Sequence, residues 1–171
     1  MKIRIGLAVG LGLALLAGLG AGPGLLEQRL NRVLPGYRPA SARALALHRK
    51  LFIADLHADT LLWNRDLLVR GDRGHVDVPR LIDGNVGLQA FTVVTRAPWG
   101  LNMHRNADST DLIGELALLE RWPRATWSSC RERALYQAGH FRQAAARSGG
   151  KLTAIRTAAE LRAYLDRRRR E

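Results

Sequence analysis

The chain has 171 residues, 47% of them hydrophobic, with 27 lysines and arginines against 15 aspartates and glutamates, a formal charge of +12. That length fits one domain or part of a larger one, and that apolar fraction excludes a disordered polymer. The arginines are scattered apart from Arg167 to Arg170, with no aromatic-interleaved basic stripe, so the charge reads as a solvated surface and not as a nucleic-acid interface.

Residues 1–26 form a unit of their own. Lys2 and Arg4 precede an uncharged stretch from Ile5 to Leu26, long enough for a membrane span, which needs about 20 apolar residues. The basic start, apolar middle and small residues at Gly20-Ala21-Gly22 equally fit a secretory signal. Signal peptide and uncleaved anchor both stand, and either directs the chain to a membrane-anchored or a secreted, periplasmic location. No cysteine follows the stretch, which excludes a lipoprotein anchor. Residues 27–40 read as a linker, broken by Pro35-Gly36 and Pro39. A helix is predicted from a Ser41 cap to about Arg49.

The run Ile53-Ala54-Asp55-Leu56-His57-Ala58-Asp59-Thr60 follows the apolar Leu51-Phe52 and ends polar, as a buried strand does where it reaches the mouth of a barrel. Residues two apart in an extended chain share a side, so Asp55, His57 and Asp59 are expected to project together, with Ala54, Leu56 and Ala58 opposite. An imidazole and a carboxylate converging at a strand end suit a divalent cation such as zinc. The bland reading of the same residues is a strand-end loop with solvated polar side chains.

Leu61 to Leu68 is read as helix or loop, and Gly71-Asp72-Arg73-Gly74 as a loop. Asp77 is placed to cap a short helix with Pro79 in its first turn and Gly84 at its end. Val86 to Val94 is a second strand, near-continuously apolar, which suits a parallel strand covered on both faces. Thr95 to Ala107 is irregular. A helix is expected from Asp108 to Arg121, stopped by Pro123. Ser129 and Glu132 match a capping box. The helix they open carries Leu135, Ala138, Phe141 and Ala145 on one side and ends at Gly149-Gly150. The single cysteine, Cys130, permits no intrachain disulfide and no cysteine zinc site, and is expected to be a small packed side chain in that helix. Lys151 to Ile155 reads as a short strand. Thr157 and Glu160 match a second capping box, for a last helix through Leu161, Tyr164 and Leu165.

Strand, helix, strand, helix is the pattern of a parallel α/β sheet. Several stretches then agree with one family. Ile53 to Asp59 resembles the opening motif of the renal dipeptidase (membrane dipeptidase) family of zinc metallopeptidases. His75-Val76-Asp77-Val78-Pro79-Arg80-Leu81, followed by Gly84 to Phe91, resembles its second block. Thr95 to Asn106, and Leu135-Tyr136-Gln137 with the helix after them, are similar to bacterial members. The resemblance spans roughly residues 45 to 168.

This resemblance implies a TIM-like (β/α)8 barrel with two zinc ions at the C-terminal mouth of the strands and dipeptides as substrates. The expected domains are 1–26, the linker 27–40 and an N-terminal part of the barrel over 41–171. His57 and Asp59 match the family's first two metal ligands, both on one zinc. Asp55 matches the acidic residue before them, supporting the ligands and not binding the metal. The implied chemistry is attack of metal-held water on the scissile carbonyl. The family's bridging glutamate and later histidines have no counterpart here, and Glu171 lacks the glycine that follows that glutamate. His75, His104 and His140 are not at motif positions, although His75 follows the first strand, and His48 precedes it. At most one partial zinc site is therefore expected. The predicted function is a zinc dipeptidase present as an N-terminal fragment, inactive alone, with the membrane met through the N-terminal segment and homodimerisation left open. The alternative is a non-catalytic, membrane-tethered interaction module. Nucleic-acid binding through Arg167 to Arg170 ranks below both.

Overall fold

The computed structural model of the chain describes residues 22–35 and 38–170. Most of the expected signal or anchor, 1–21, lies outside the described residues, as does Glu171. The first helix, α1, covers 22–30. It is followed by α2 (Ala42–His48), β1 (Ile53–Ala58), a 3-10 turn at Thr60–Leu62, α3 (Val78–Asp83) and β2 (Val86–Phe91). Then come α4 (Leu112–Leu119), a second 3-10 turn at Arg124–Thr126, α5 (Cys130–Arg147) and α6 (Ala158–Arg168). The architecture is mixed α/β, with β1 and β2 paired in parallel through the α3 crossover. No helix among the described residues is long and apolar enough to cross a membrane.

The helix starts obey local chemistry. Ser41, Asp77, Asp111, Ser129 and Thr157 are the N-caps, and each side chain accepts an otherwise orphaned backbone N–H. At α6 the box is reciprocal, because Glu160 also accepts from the backbone of Thr157. Asp77 is buried, and its carboxylate accepts from the amides of Arg80 and Gly71 and pairs with the Arg80 guanidinium at 3.3 Å. Arg80 in turn donates to the carbonyls of Gly71 and Gly74. The His75-to-Leu81 block thus staples the 71–74 loop to α3. Gly74 has φ +70°, a conformation that side-chain-bearing residues rarely adopt, and a Cβ there would also displace the Arg65 guanidinium.

Several elements differ from the expected ones. Residues 27–30, at the start of the expected linker, continue α1, and Glu27 is buried against the domain. The Asp108 helix starts instead at Leu112, because Asp111 is the residue whose side chain caps it. Cys130, the first residue of α5, is exposed and not packed. Lys151 to Ile155 is not a strand, and its first residues turn back on the end of α5. The Ser148 hydroxyl donates to the Leu152 carbonyl and accepts its amide, and the Arg156 amide goes to Glu160. A groove of ≈ 1230 Å³ runs between β2, the 150–156 segment and α6. β2 itself ends at Phe91 and is half-buried throughout, short of the doubly covered strand expected up to Val94.

The apolar cluster forms where α5 lies over the turn after β1. Leu61, Leu67 and Ala144 are buried, with Phe91, Phe141 and Leu152 packed around them. The Phe91 and Phe141 rings stand 5.4 Å apart. Burial of Leu61 and Leu67 stabilises by about 1.5–3 kcal/mol each. The face that α5 buries most deeply is not the expected apolar one. Arg133, Gln137 and Ala144 are its buried residues, while Leu135 is exposed. Arg133 donates to the carbonyls of Thr126, Thr95 and Trp127 at 2.6–2.7 Å and to Asp111 at 2.6 Å. Gln137 exchanges two hydrogen bonds with the Val94 backbone, in the manner of a neighbouring strand. Both polar residues are buried with their hydrogen-bonding groups satisfied, and each reaches the chain leaving β2, Arg133 at Thr95 and Gln137 at Val94.

Candidate metal centre

β1 delivers His57 to its C-terminal end, and Asp59 follows the last strand residue, Ala58. Pairing is irregular between Asp55 and Ala58, so strict alternation fails across the stretch that holds the candidate ligands. Leu56 is 74% exposed while Ala58 is buried, so the two do not share an environment as alternation requires. The side chains of His57 and Asp59 nevertheless meet, with Nε2 to Oδ2 at 3.2 Å. Both are open to solvent, at 71% and 40% side-chain exposure. Asp55 meets the backbone of His57 and not its imidazole. Its Oδ1 accepts the His57 amide at 3.1 Å, which braces the backbone under the imidazole.

The second strand completes the pair's surroundings. The Thr92 hydroxyl, just past β2, donates to Asp59 Oδ1 at 2.6 Å, and the Thr92 amide donates to the Ala58 carbonyl at 3.1 Å. Thr92 therefore holds one carboxylate oxygen and leaves the other beside the imidazole. A hydroxyl that orients a carboxylate is a usual outer support of a metal-ligating carboxylate. Thr92 was readable only as a strand residue, because the register that carries it to Asp59 is a tertiary fact.

Beneath Asp59, the buried Thr60 donates to the Val76 carbonyl and accepts from Arg65, each at 3.2 Å. Arg65 Nε lies 2.6 Å from Glu27 Oε1, and Glu27 also faces Arg73 at 3.3 Å. The Arg65–Glu27 contact is Coulombic and not an aligned hydrogen bond, since neither atom has a hydrogen-bond partner. Burial lowers the Arg65 pKa, opposed by the Glu27 charge. The floor of the candidate site is thus tied to α1, a connection for which the sequence carries no local signal.

Two donors 3.2 Å apart match neighbouring ligands of a tetrahedral zinc, whose bonds of about 2.0–2.2 Å put ligand atoms roughly 3.3 Å apart. The donor types also suit zinc. The fit stops at two. No group of three His, Cys, Asp or Glu side chains that could hold a metal occurs among the described residues. His75 and His104 sit on exposed loop positions. His140 is half-buried on α5 against the Tyr136 ring at 4.3 Å, where burial lowers its pKa. The backbone carbonyl of His48, not its ring, is engaged, by Asn85.

No protein-family model, curated protein or solved structure matches the chain.

Proposed function

We propose that the chain carries the opening part of a TIM-like barrel of a zinc-dependent dipeptidase, with His57 and Asp59 as two ligands of one zinc. The observation that carries this reading is the approach of His57 Nε2 to Asp59 Oδ2 at the C-terminal end of a parallel strand, the end at which barrel enzymes build their sites. In this reading Thr92 fixes the Asp59 carboxylate and Asp55 fixes the backbone of His57. Zinc, when bound, supplies an acidified water and polarises a carbonyl oxygen.

Two protein ligands are half of a closed zinc shell and one short of an ordinary catalytic one. The purified chain is therefore expected to take up zinc weakly and to hydrolyse no dipeptide. Isothermal titration with zinc tests the site. Weak uptake is expected in the parent and none in His57→Ala or Asp59→Ala. Uptake unchanged in both variants removes the reading, and robust dipeptide turnover by the parent chain removes the expectation of inactivity. The membrane-tethered interaction module is the second reading, favoured by the lack of a third donor among the described residues and by exposed leucines such as Leu30 and Leu118. It predicts that His57→Ala changes neither metal uptake nor partner binding.

A further inference from the structure

The inward side of α1 is committed. Glu27 is buried between Arg65 and Arg73. Arg73 donates to the Gly24 carbonyl at 3.2 Å, and the Gly74 amide donates to the Asn31 carbonyl at 2.6 Å. These contacts hold α1 and the turn after it against the 73–74 loop. Outside these contacts, Leu25 and Leu30 of α1 and Leu34 in the segment after it are 63%, 62% and 58% exposed, with Val33 beside Leu34. Arg29 and Arg32 are exposed in the same stretch. Neither forms a salt bridge among the described residues, and a shallow cleft next to them is lined by Leu25, Gln28, Val33, Asp72 and Arg73.

We propose that the exposed surface of residues 22–35 is a lipid-contact surface that lays the folded domain against an anionic membrane. Three leucines and a valine within ten residues, flanked by arginines on flexible stems, form the composition that seats a segment at the boundary between headgroups and acyl chains. The charge selects the occupant. A second copy of the chain brings the same arginines and a net charge of +12 to the contact, whereas an anionic leaflet attracts each of them. Continuity points the same way, because the uncharged run from Ile5 ends at Leu26 inside this helix. The single acid in the cleft, Asp72, is already near Arg73 at 3.5 Å. The inference is independent of the metal-site reading. It also goes beyond membrane targeting by residues 1–26, since it assigns a face of the folded domain to the bilayer.

The test uses the full chain in a Cys130→Ser background, with Leu30→Cys or Leu34→Cys carrying an environment-sensitive fluorophore. Leu135→Cys, exposed on α5, is the control. Vesicles are of phosphatidylcholine with phosphatidylglycerol, or of phosphatidylcholine alone, with brominated acyl chains as quencher. The expected result is a blue shift and quenching at positions 30 and 34 but not at 135, stronger on the anionic vesicles. Arg29→Gln and Arg32→Gln should each lower the lipid-contacting population roughly fivefold. The proposal is overturned if vesicle-bound protein shows the same aqueous emission at 30 and 135, or the same signal on both lipids. It is equally overturned by a blue shift that needs no vesicles and grows with protein concentration, which identifies a second copy as the occupant.

Discussion

Arg133 is fully buried and serves three carbonyls and one carboxylate. Its removal strands Asp111 and three backbone acceptors at once. Arg133→Met is therefore expected to lower the unfolding free energy by about 3–5 kcal/mol, read from denaturant titration. Arg133→Lys should recover only part of the loss, because one ammonium cannot reach the points that a planar fork spans. Gly114 belongs to the same arrangement, since a Cβ there would stand 2.9 Å from both the Arg133 guanidinium and the Trp127 carbonyl. At the candidate site the corresponding residue is Thr92. Thr92→Val keeps the shape and the amide bond to Ala58 but frees Asp59 Oδ1. Zinc affinity should fall about 10- to 100-fold with the thermal midpoint nearly unchanged. A variant that binds zinc as the parent does shows that the hydroxyl has no part in holding the carboxylate for metal.

Among the elements, α6 depends most on its ends. It has no buried residue and is held through Tyr164 to the Gly87 carbonyl at 2.6 Å and through Arg168 to Asn85 at 2.7 Å. Thr157→Ala should cost about 1 kcal/mol of helix stability, seen as faster amide exchange confined to 158–168. The Glu160 half of the box adds a pH dependence. Hydrogen bonds from the Arg156 and Thr157 amides hold its carboxyl below 4.5. Its contribution is therefore present above 4.5 and lost as the pH falls through the lower folded value. Such caps are also what made the elements legible: Ser41, Asp77, Ser129 and Thr157 announce helix starts within four residues of sequence. The misread elements lie where a distant partner decides. Lys151 to Ile155 has strand composition, but Ser148 takes the backbone groups of Leu152, and Glu160 takes the Arg156 amide just past the segment. β2 stops early in the stretch where Gln137 takes over the Val94 backbone. The His57–Asp59 pair was legible because two-residue spacing is local, whereas Thr92 and the Glu27–Arg65 tie were not, because each joins segments more than thirty residues apart.

At the scale of the whole molecule, a two-stranded sheet is marginal by itself, so stability rests on what the helices and loops place around it. Among the described residues, polar and charged side chains are as prominent as apolar ones in the interior, with Glu27, Asp77, Glu120, Arg133 and Gln137 beside Leu61, Leu67, Val78, Ile113 and Trp122. A fold built this way must respond to pH, and the direction follows from individual groups. Burial lowers the His140 pKa, so as the pH drops the unfolded chain takes up its proton near 6.5, before the folded one does. That contribution is intact above 6.5 and declines until the pH passes below the folded value. Asp66 is lowered by the Leu68 amide and by Arg147, so it adds a further loss below 3.8. Glu120 works in the opposite sense. Burial raises its pKa despite the bond from the Asn64 amide, and the negative charge of Glu27 adds to the rise. As the pH climbs through 4.5, the unfolded chain releases this proton first, and stability is lost until the folded value is passed. Glu120→Gln keeps the size and the acceptor while removing the charge. The variant should therefore be more stable than the parent at neutral pH, and this advantage should shrink to nothing below 4.5, measured by chemical denaturation across the range. An advantage that persists in acid places the gain in packing and removes the buried charge as its cause. His140→Phe should instead flatten the loss that begins near 6.5 and leave the Glu120 window unchanged, which separates the two groups although both lie close to the Tyr136 ring.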